Sequence, residues 1–470
     1  MYFLYSVLSA TGMLLLAPYF LIKYFLNEGT RQKKYLQNLP ERLGLRFPNE
    51  LGPEDARRTI WIHAVSVGEV LAAVPLARAL AEKYPEKQLV ISTTTATGQA
   101  LAHERMKFAE AIFYFPLDWR GPVKRAVRAV KPELVVIFET EIWPNFLREA
   151  RRAGVPVIFV NGRISSRSFQ RFSRALRLSA GLLRGFLGRV LNDATLYLMQ
   201  SEQDRERVVA LGAEPERVVA AGNMKYDLAV PDASPLANWL TTEASRARRG
   251  PVLVAGSVIA GEEIAVLEAL DVVEQKWPDA LLVMAPRKPE RFAAAAALIE
   301  QSGRRVVRRS ELVLDDGAAG APCARRALGC APGERGSVLL LDTIGELTSL
   351  YGIADAVFVG GSLAPGGGHN PLEPAALGKA PVFGASMDNF RDVASAFLAA
   401  DAAIEVHSGA ELGAAWSALL ADEPRRERMG RAARELVERH RGATQRALAR
   451  IETVLVAGPA AVLAAEKARR

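Results

Sequence analysis

Cysteine is almost absent. The 470 residues hold two, Cys323 and Cys330, which excludes a disulfide framework and suits a reducing compartment. Histidine is also scarce: His63, His103, His369, His407 and His440 stand at no metal-ligand spacing, so no metal is expected and no cofactor is called for. Charged residues are missing from Met1 to Ile22. Acidic residues are missing from 151 to 192, where nine arginines stand: Arg151, Arg152, Arg163, Arg167, Arg171, Arg174, Arg177, Arg184 and Arg189. That window accounts for all of the net charge of +8. No fixed-period repeat occurs, which excludes a solenoid. Half of the residues are hydrophobic and 24% are charged, which excludes a disordered chain.

The uncharged start, "MYFLYSVLSATGMLLLAPYFLI", would rise about 33 Å as a helix, enough to cross a hydrocarbon core. It lacks the charged start and small-residue cleavage site of a signal peptide. Residues 1–26 are therefore expected to be a retained membrane anchor. The alternatives are a re-entrant or interfacial segment, since Pro18 falls inside it, and a buried helix of a soluble protein. Residues 27–58 read as a basic juxtamembrane linker. Lys23, Arg31, Lys33, Lys34, Arg42 and Arg46 outnumber Glu28 and Glu41, which puts the body on the cytoplasmic side. Within the arginine window, "RFSRALRLSAGLLRGFLGR" (171–189) interleaves arginines with Phe172, Leu176, Leu182, Leu183 and Phe186. Such a basic amphipathic segment suits an anionic membrane surface. Nucleic acid is not expected, because tyrosine and tryptophan for base stacking are missing there. No obligate protein partner is indicated.

From Thr59 onward, short apolar runs alternate with helical patterns: "TIWIHAV", "QLVIST", "AIFYF", "ELVVIFE", "PVIFVN", "TLYLMQ" and "RVVAAG". This is the rhythm of a parallel sheet covered by helices. Residues 229–250, with Pro231 and Pro235, break it and read as a connection. It restarts with "PVLVAGS", "ALLVMAP", "RVVRRS", "SVLLLDT", "DAVFVGG" and "APVFGAS". The expectation is an α/β chain of two Rossmann-like domains, 59–228 and 251–470, with 317–336 a surface insertion. Ligands of such domains bind at the carboxyl ends of the strands.

Glu69 follows the first strand in "HAVSVGEV". Ser66-Val67-Gly68-Glu69 fits a capping box, in which each end bonds the other's backbone N–H; Ser201 to Asp204 is similar. The competing reading is chemical, a carboxylate at a strand end. "FETEIWPN" places Glu139 and Glu141 after another strand, two residues apart and suited to acid–base work, or to helix N-terminal charge. Lys225 of "GNMKYD" follows a further strand. "APRKPERF" ends a strand on Pro286 and Arg287, a geometry for pairing with phosphate or for a solvated turn. "GGSLAPGGGHNPLEPAALG" puts glycines before a helix expected to begin at Pro371, with Asn370 as N-cap. That is the pattern of an anion site, with Asn370 and Glu373 also at capping-box spacing.

Six blocks, "SVGE", "ETEIWPN", "PRKPERF", "DTIGEL", "YGIADAVFVGGS" and "GGHNPLEPAA", stand together in an order that resembles the bacterial Kdo (3-deoxy-D-manno-octulosonic acid) transferases of lipid A biosynthesis. The resemblance runs from residue 1 to about 440 and implies a GT-B glycosyltransferase on the cytoplasmic face of the inner membrane. It implies inverting, metal-independent transfer of Kdo from CMP-Kdo to the anionic lipid acceptor, lipid IVA. By motif, it makes Glu69 the general base and Glu139 and Lys225 transition-state stabilisers. It assigns CMP contacts to Pro286 and Arg287, to Ile344, Gly345 and Glu346, and to Asn370, Pro371, Leu372 and Glu373. One block departs: "SVIAGEE" (257–263) stands where the family commonly has "STHEGEE", so contacts made by the replaced side chains are in doubt. Lys288 also stands where histidine is usual. The rival readings are a membrane-associated GT-B enzyme for another nucleotide sugar and a non-catalytic anionic-lipid-binding protein.

Overall fold

The computed structural model describes residues 1–26, 38–48, 58–178, 181–228, 230–247, 250–312, 314 and 337–468. Most of the expected basic linker, and the insertion with both cysteines, lie outside the described residues. The chain forms two compact units, Met1–Asp227 with Arg441–Arg470, and Leu228–His440. The C-terminal 30 residues, expected with the second domain, thus belong to the first. The expected connection 229–250 is largely a helix, Pro235–Ala247.

The first unit holds a seven-stranded parallel sheet: β1 (Thr59–His63), β2 (Gln88–Thr93), β3 (Ala111–Tyr114), β4 (Pro132–Phe138), β5 (Val157–Gly162), β6 (Leu196–Met199) and β7 (Val218–Ala220). Its order is β3-β2-β1-β4-β5-β6-β7. The strands are apolar on both faces because helices cover both. Ile60, Ile62, Val136 and Phe138 pack on one side; Trp61, Val135, Ile137 and Phe159 pack on the other. The second unit repeats the plan with β8 (Val252–Val258), β9 (Leu281–Pro286), β10 (Val306–Arg308), β11 (Val338–Leu340), β12 (Ala356–Val359), β13 (Pro381–Gly384) and β14 (Ile404–Val406). Its order is β10-β11-β9-β8-β12-β13-β14. Strand β14 went unread in the sequence: it has three residues, and Glu405 interrupts its apolar pattern.

The two series of strands part between β1 and β4 in the first sheet and between β8 and β12 in the second. Loops part at such a switch point and leave a crevice beyond the strand ends. Three non-glycine residues with left-handed backbone stand at strand ends there or beside it: Glu139 (φ 57°) after β4, Asn161 (φ 55°) in β5 and Ser257 (φ 57°) in β8.

The N-terminal stretch forms one helix, Tyr2–Leu26. Among the described residues, no helix is long and apolar enough to cross a membrane, so the spanning anchor expected at 1–26 is not supported. The first turns instead carry polar atoms that dock on the first unit. Tyr2 Oη donates to Asp193 at 2.5 Å, Tyr5 Oη donates to Asp118 at 3.0 Å, and Asn145 Nδ2 donates to Ser6 Oγ at 3.0 Å. The Tyr2 ring meets Phe186 edge-on and lies under the Arg148 guanidinium. The opposite face leaves Phe3, Leu4, Leu8 and Leu15 exposed.

Candidate active site

Glu69 lies in the first turn of the helix Val67–Lys83, which starts directly beyond β1. It is 5% exposed. Its carboxylate accepts from the Val65 backbone N–H at 2.8 Å and from Ser66 Oγ at 2.9 Å. Ser66 makes no side-chain cap bond to the helix. Ser201 Oγ also donates to the carboxylate three residues on, that of Asp204, but it accepts from the Asp204 N–H as well, in a true cap. At Ser66 the hydroxyl only donates to Glu69, and the carboxylate takes the Val65 N–H rather than that of Ser66, so neither bond of the capping box is formed. Burial pushes the Glu69 carboxyl up to about 7, with the neighbouring Glu139 and Glu141 adding to the rise and the Val65 and Ser66 bonds opposing it. Burial and Glu139 also raise Glu141. Three carboxylates therefore converge at the β1/β4 switch point.

Glu139 is half-buried, and its N–H donates to Val160 O at 2.9 Å, which keeps β4 paired with β5 up to its last residue. Holding a glutamate at positive φ costs about 1–2 kcal/mol, a cost concentrated at functional positions. Thr140 Oγ1 donates to Arg163 O and accepts from Arg163 N, tying the "ETE" loop to the next strand end.

Lys225 lies in the short helical turn Met224–Tyr226 after β7. The turn is fixed by a chain of amides. Asn161 Oδ1 accepts from Met224 N, and Asn161 O accepts from Gln200 Nε2. Gln200 Oε1 accepts from Asn223 Nδ2, and Asn223 Oδ1 accepts from Lys225 N, each at 3.0 Å. The C-terminal return braces it: Asp227 accepts from Gly442 N and Thr444 N, at the start of the helix Ala443–Ala457. Asn161, Gln200 and Asn223 were not singled out in the sequence, because isolated amides at strand ends carry no spacing signal.

In the second unit, Pro286 ends β9 buried and Arg287 follows exposed. The Arg287 charge acts on two neighbours. It helps burial to pull His369 down to about 4, and it lowers Glu373 against the upward push of burial. Glu373 also accepts from Thr348 Oγ1 and Asn370 Nδ2, each at 3.2 Å. Arg287, His369, Asn370, Thr348 and Glu373 thus form one cluster. The helix expected to begin at Pro371 is a single turn, Leu372–Ala376, with Pro371 rather than Asn370 at its N-cap; Asn370 Oδ1 accepts from Leu372 N at 3.1 Å. Glu346 is held by the Arg309 guanidinium and Thr343 Oγ1, while Ile344 beside it is 79% exposed.

The glycine-rich loop after β12 corrects the expectation of an open anion cradle. The N–H groups of Gly361, Ser362, Leu363 and Ala364 all point to the carboxylate of Glu262, at 2.7, 2.8, 2.9 and 3.3 Å. Glu262 is the first of the two retained carboxylates of "SVIAGEE" and is 1% exposed. Among the described residues, no group of three or more His, Cys, Asp or Glu side chains is placed to hold a metal ion.

The family profile "3-Deoxy-D-manno-octulosonic-acid transferase (kdotransferase)" matches residues 37–228. The 3-deoxy-D-manno-octulosonic acid transferase of Haemophilus influenzae is 33% identical over 443 residues, covering 93% of this chain and 96% of that protein. The chain belongs to the 3-deoxy-D-manno-octulosonic acid transferase family. These transferases are glycosyltransferases. The Bordetella pertussis 3-deoxy-D-manno-octulosonic acid transferase is 34% identical over 427 residues, covering 87% of this chain and 90% of its own. A putative UDP-N-acetylglucosamine 2-epimerase from Listeria monocytogenes superposes with a TM-score of 0.51 at 14% identity, over 86% of this chain and 98% of its own. That likeness concerns the fold alone, a GT-B-like pair of parallel α/β sheets. The blocks "SVGE" and "ETEIWPN", with Lys225, fall inside the span matched by the Kdo transferase profile.

Proposed function

We propose that the chain transfers Kdo from CMP-Kdo to lipid IVA, with inversion, at the cytoplasmic face of the inner membrane, with Glu69 as general base. The observation that carries this reading is the Glu69 carboxyl, buried beside two further carboxylates and titrating at about 7. A base poised near the working pH is ionised often enough to act and basic enough to take a proton. In the proposed step Glu69 removes the proton of the acceptor hydroxyl, the oxygen forms a bond to the anomeric carbon, and that carbon's bond to CMP breaks. Glu139 and Lys225 stabilise charge developing around that centre. Pro286 and Arg287, Ile344 to Glu346, and Asn370 to Glu373 take the CMP moiety, with Arg287 on its phosphate. Calorimetry tests the donor assignment: CMP is expected to bind at least about tenfold more tightly than UMP. Equal affinities, or preference for UMP, would remove the cytidine donor from this account.

The acceptor is anionic and lipidic, and the first unit has a surface suited to it. Exposed Phe3, Leu4, Leu8 and Leu15 lie on the helix that meets Phe186, whose own helix bears exposed Arg184 and Arg189. Apolar side chains beside arginines favour the interface of an anionic bilayer. Replacing Phe3 and Leu8 together by asparagine is expected to weaken co-sedimentation with phosphatidylglycerol vesicles about tenfold or more. Unchanged binding would show that this face is not the one that meets the lipid.

A further inference from the structure

The glycine-rich loop invites a phosphate, yet its amides from Gly360 to His369 are spent. Gly360 N donates to Gly256 O at 2.8 Å. The N–H groups of residues 361–364 go to Glu262, as above. Pro365 has none. Gly366 N donates to Ala364 O, Gly367 N to Ser386 Oγ, Gly368 N to Gly361 O and His369 N to Gly360 O, at 2.7, 3.1, 2.7 and 3.1 Å. Loops of this kind cradle phosphate because successive N–H groups turn inward on an anion. Here the anion is part of the protein. Glu262 opens the helix Glu262–Glu274 beyond β8 and takes a fifth N–H, from Ile259 at 3.0 Å. The arrangement is tightly specified: Gly361 has φ +71°, and a Cβ there would lie 2.6 Å from the His369 ring.

We propose that Glu262 is a specificity-determining residue, whose buried carboxylate fills the loop's anion position and restricts the donor to a nucleotide bearing a single phosphate. This rests on the reading of the second unit as the donor-binding unit. The one phosphate of a nucleoside monophosphate is met by Arg287, which is exposed and adjoins the His369–Glu373 end of the loop. A second phosphate would need loop amides that are already engaged, and would face the Glu262 charge beneath them. Like charges brought together in a partly desolvated site disfavour binding. The departure "SVIAGEE" leaves the device intact, because it retains Gly261 and Glu262.

Calorimetry with CMP and CDP, which share base and sugar, isolates the phosphate count. The wild-type protein is expected to prefer CMP over CDP by at least about tenfold, and pyrophosphate is expected not to displace CMP. In Glu262→Gln the charge is lost and an amide N–H₂ confronts loop N–H groups, so the preference is expected to fall to about threefold or less. Loosening of the loop alone weakens both nucleotides together and leaves the ratio unmoved. The proposal is overturned if wild type binds CDP as tightly as CMP, or if Glu262→Gln binds CMP and keeps the wild-type ratio. Should Glu262→Gln not fold, as thermal unfolding would reveal, the wild-type ratio and pyrophosphate competition still decide. Absence of CMP binding to wild type would instead remove the donor reading itself.

Discussion

Glu69→Gln is expected to lower kcat for Kdo transfer by about 10²- to 10⁴-fold, the usual worth of a positioned general base. The amide keeps the shape of the side chain and one acceptor for Val65 N–H or Ser66 Oγ, so the helix start survives. The same substitution is expected to stabilise the fold at alkaline pH. In the folded chain the Glu69 carboxyl titrates at about 7 against a reference of 4.5. A carboxyl raised on folding favours the folded state while protonated, and that contribution is lost as pH rises from 4.5 through 7. Glutamine cannot lose it. At pH 8 the variant is therefore expected to be about 2–3 kcal/mol more stable relative to wild type than at pH 4. Thermal unfolding at the two pH values measures this. A residue that only capped its helix would show no rate loss, whereas the stability gain growing with pH follows from its burial in either role.

Glu139→Gln is expected to move the acid limb of the pH–rate profile. With Glu69 as the proposed base, wild-type activity is expected to fall as pH drops through about 7. Glu139 contributes to that value through charge repulsion, after burial. Removing its charge lets Glu69 ionise more readily, and the limb should shift down by about half a unit to one unit. The plateau at high pH reports separately on any role of Glu139 in the transition state. Its backbone at φ 57° is as available to glutamine as to glutamate, so the comparison isolates charge. A limb that stays in place would dissociate Glu139 from the titration of Glu69.

The strands were legible because a sheet covered on both faces needs unbroken apolar runs. Only β14, with three residues and Glu405 at its centre, escaped. The position of Glu69 was legible, but its chemistry was not. Spacing alone cannot tell a cap from a base, and it shows neither the missing N–H bond to Ser66 nor the two carboxylates about 70 residues onward. The glycine loop looked like an open cradle because its filler, Glu262, lies 99 residues before Gly361. The C-terminal return was illegible for a related reason. Ala443, Ala447, Ile451 and Val454 form an apolar stripe that fits any sheet, and it is the Asp227 carboxylate and the first unit's core that claim it. The uncharged N-terminus read as a span because length and lack of charge say nothing of which side chains are engaged. Tyr2, Tyr5 and Ser6 share a docked face.

Mass spectrometry of lipid IVA after incubation with CMP-Kdo, wild type beside Glu69→Gln, tests the central claim most directly. Wild type is expected to give a Kdo-bearing product, and the folded variant none over the same interval. Equal product from both would contradict the role of Glu69, and wild-type product from a UDP-sugar but not from CMP-Kdo would contradict the donor.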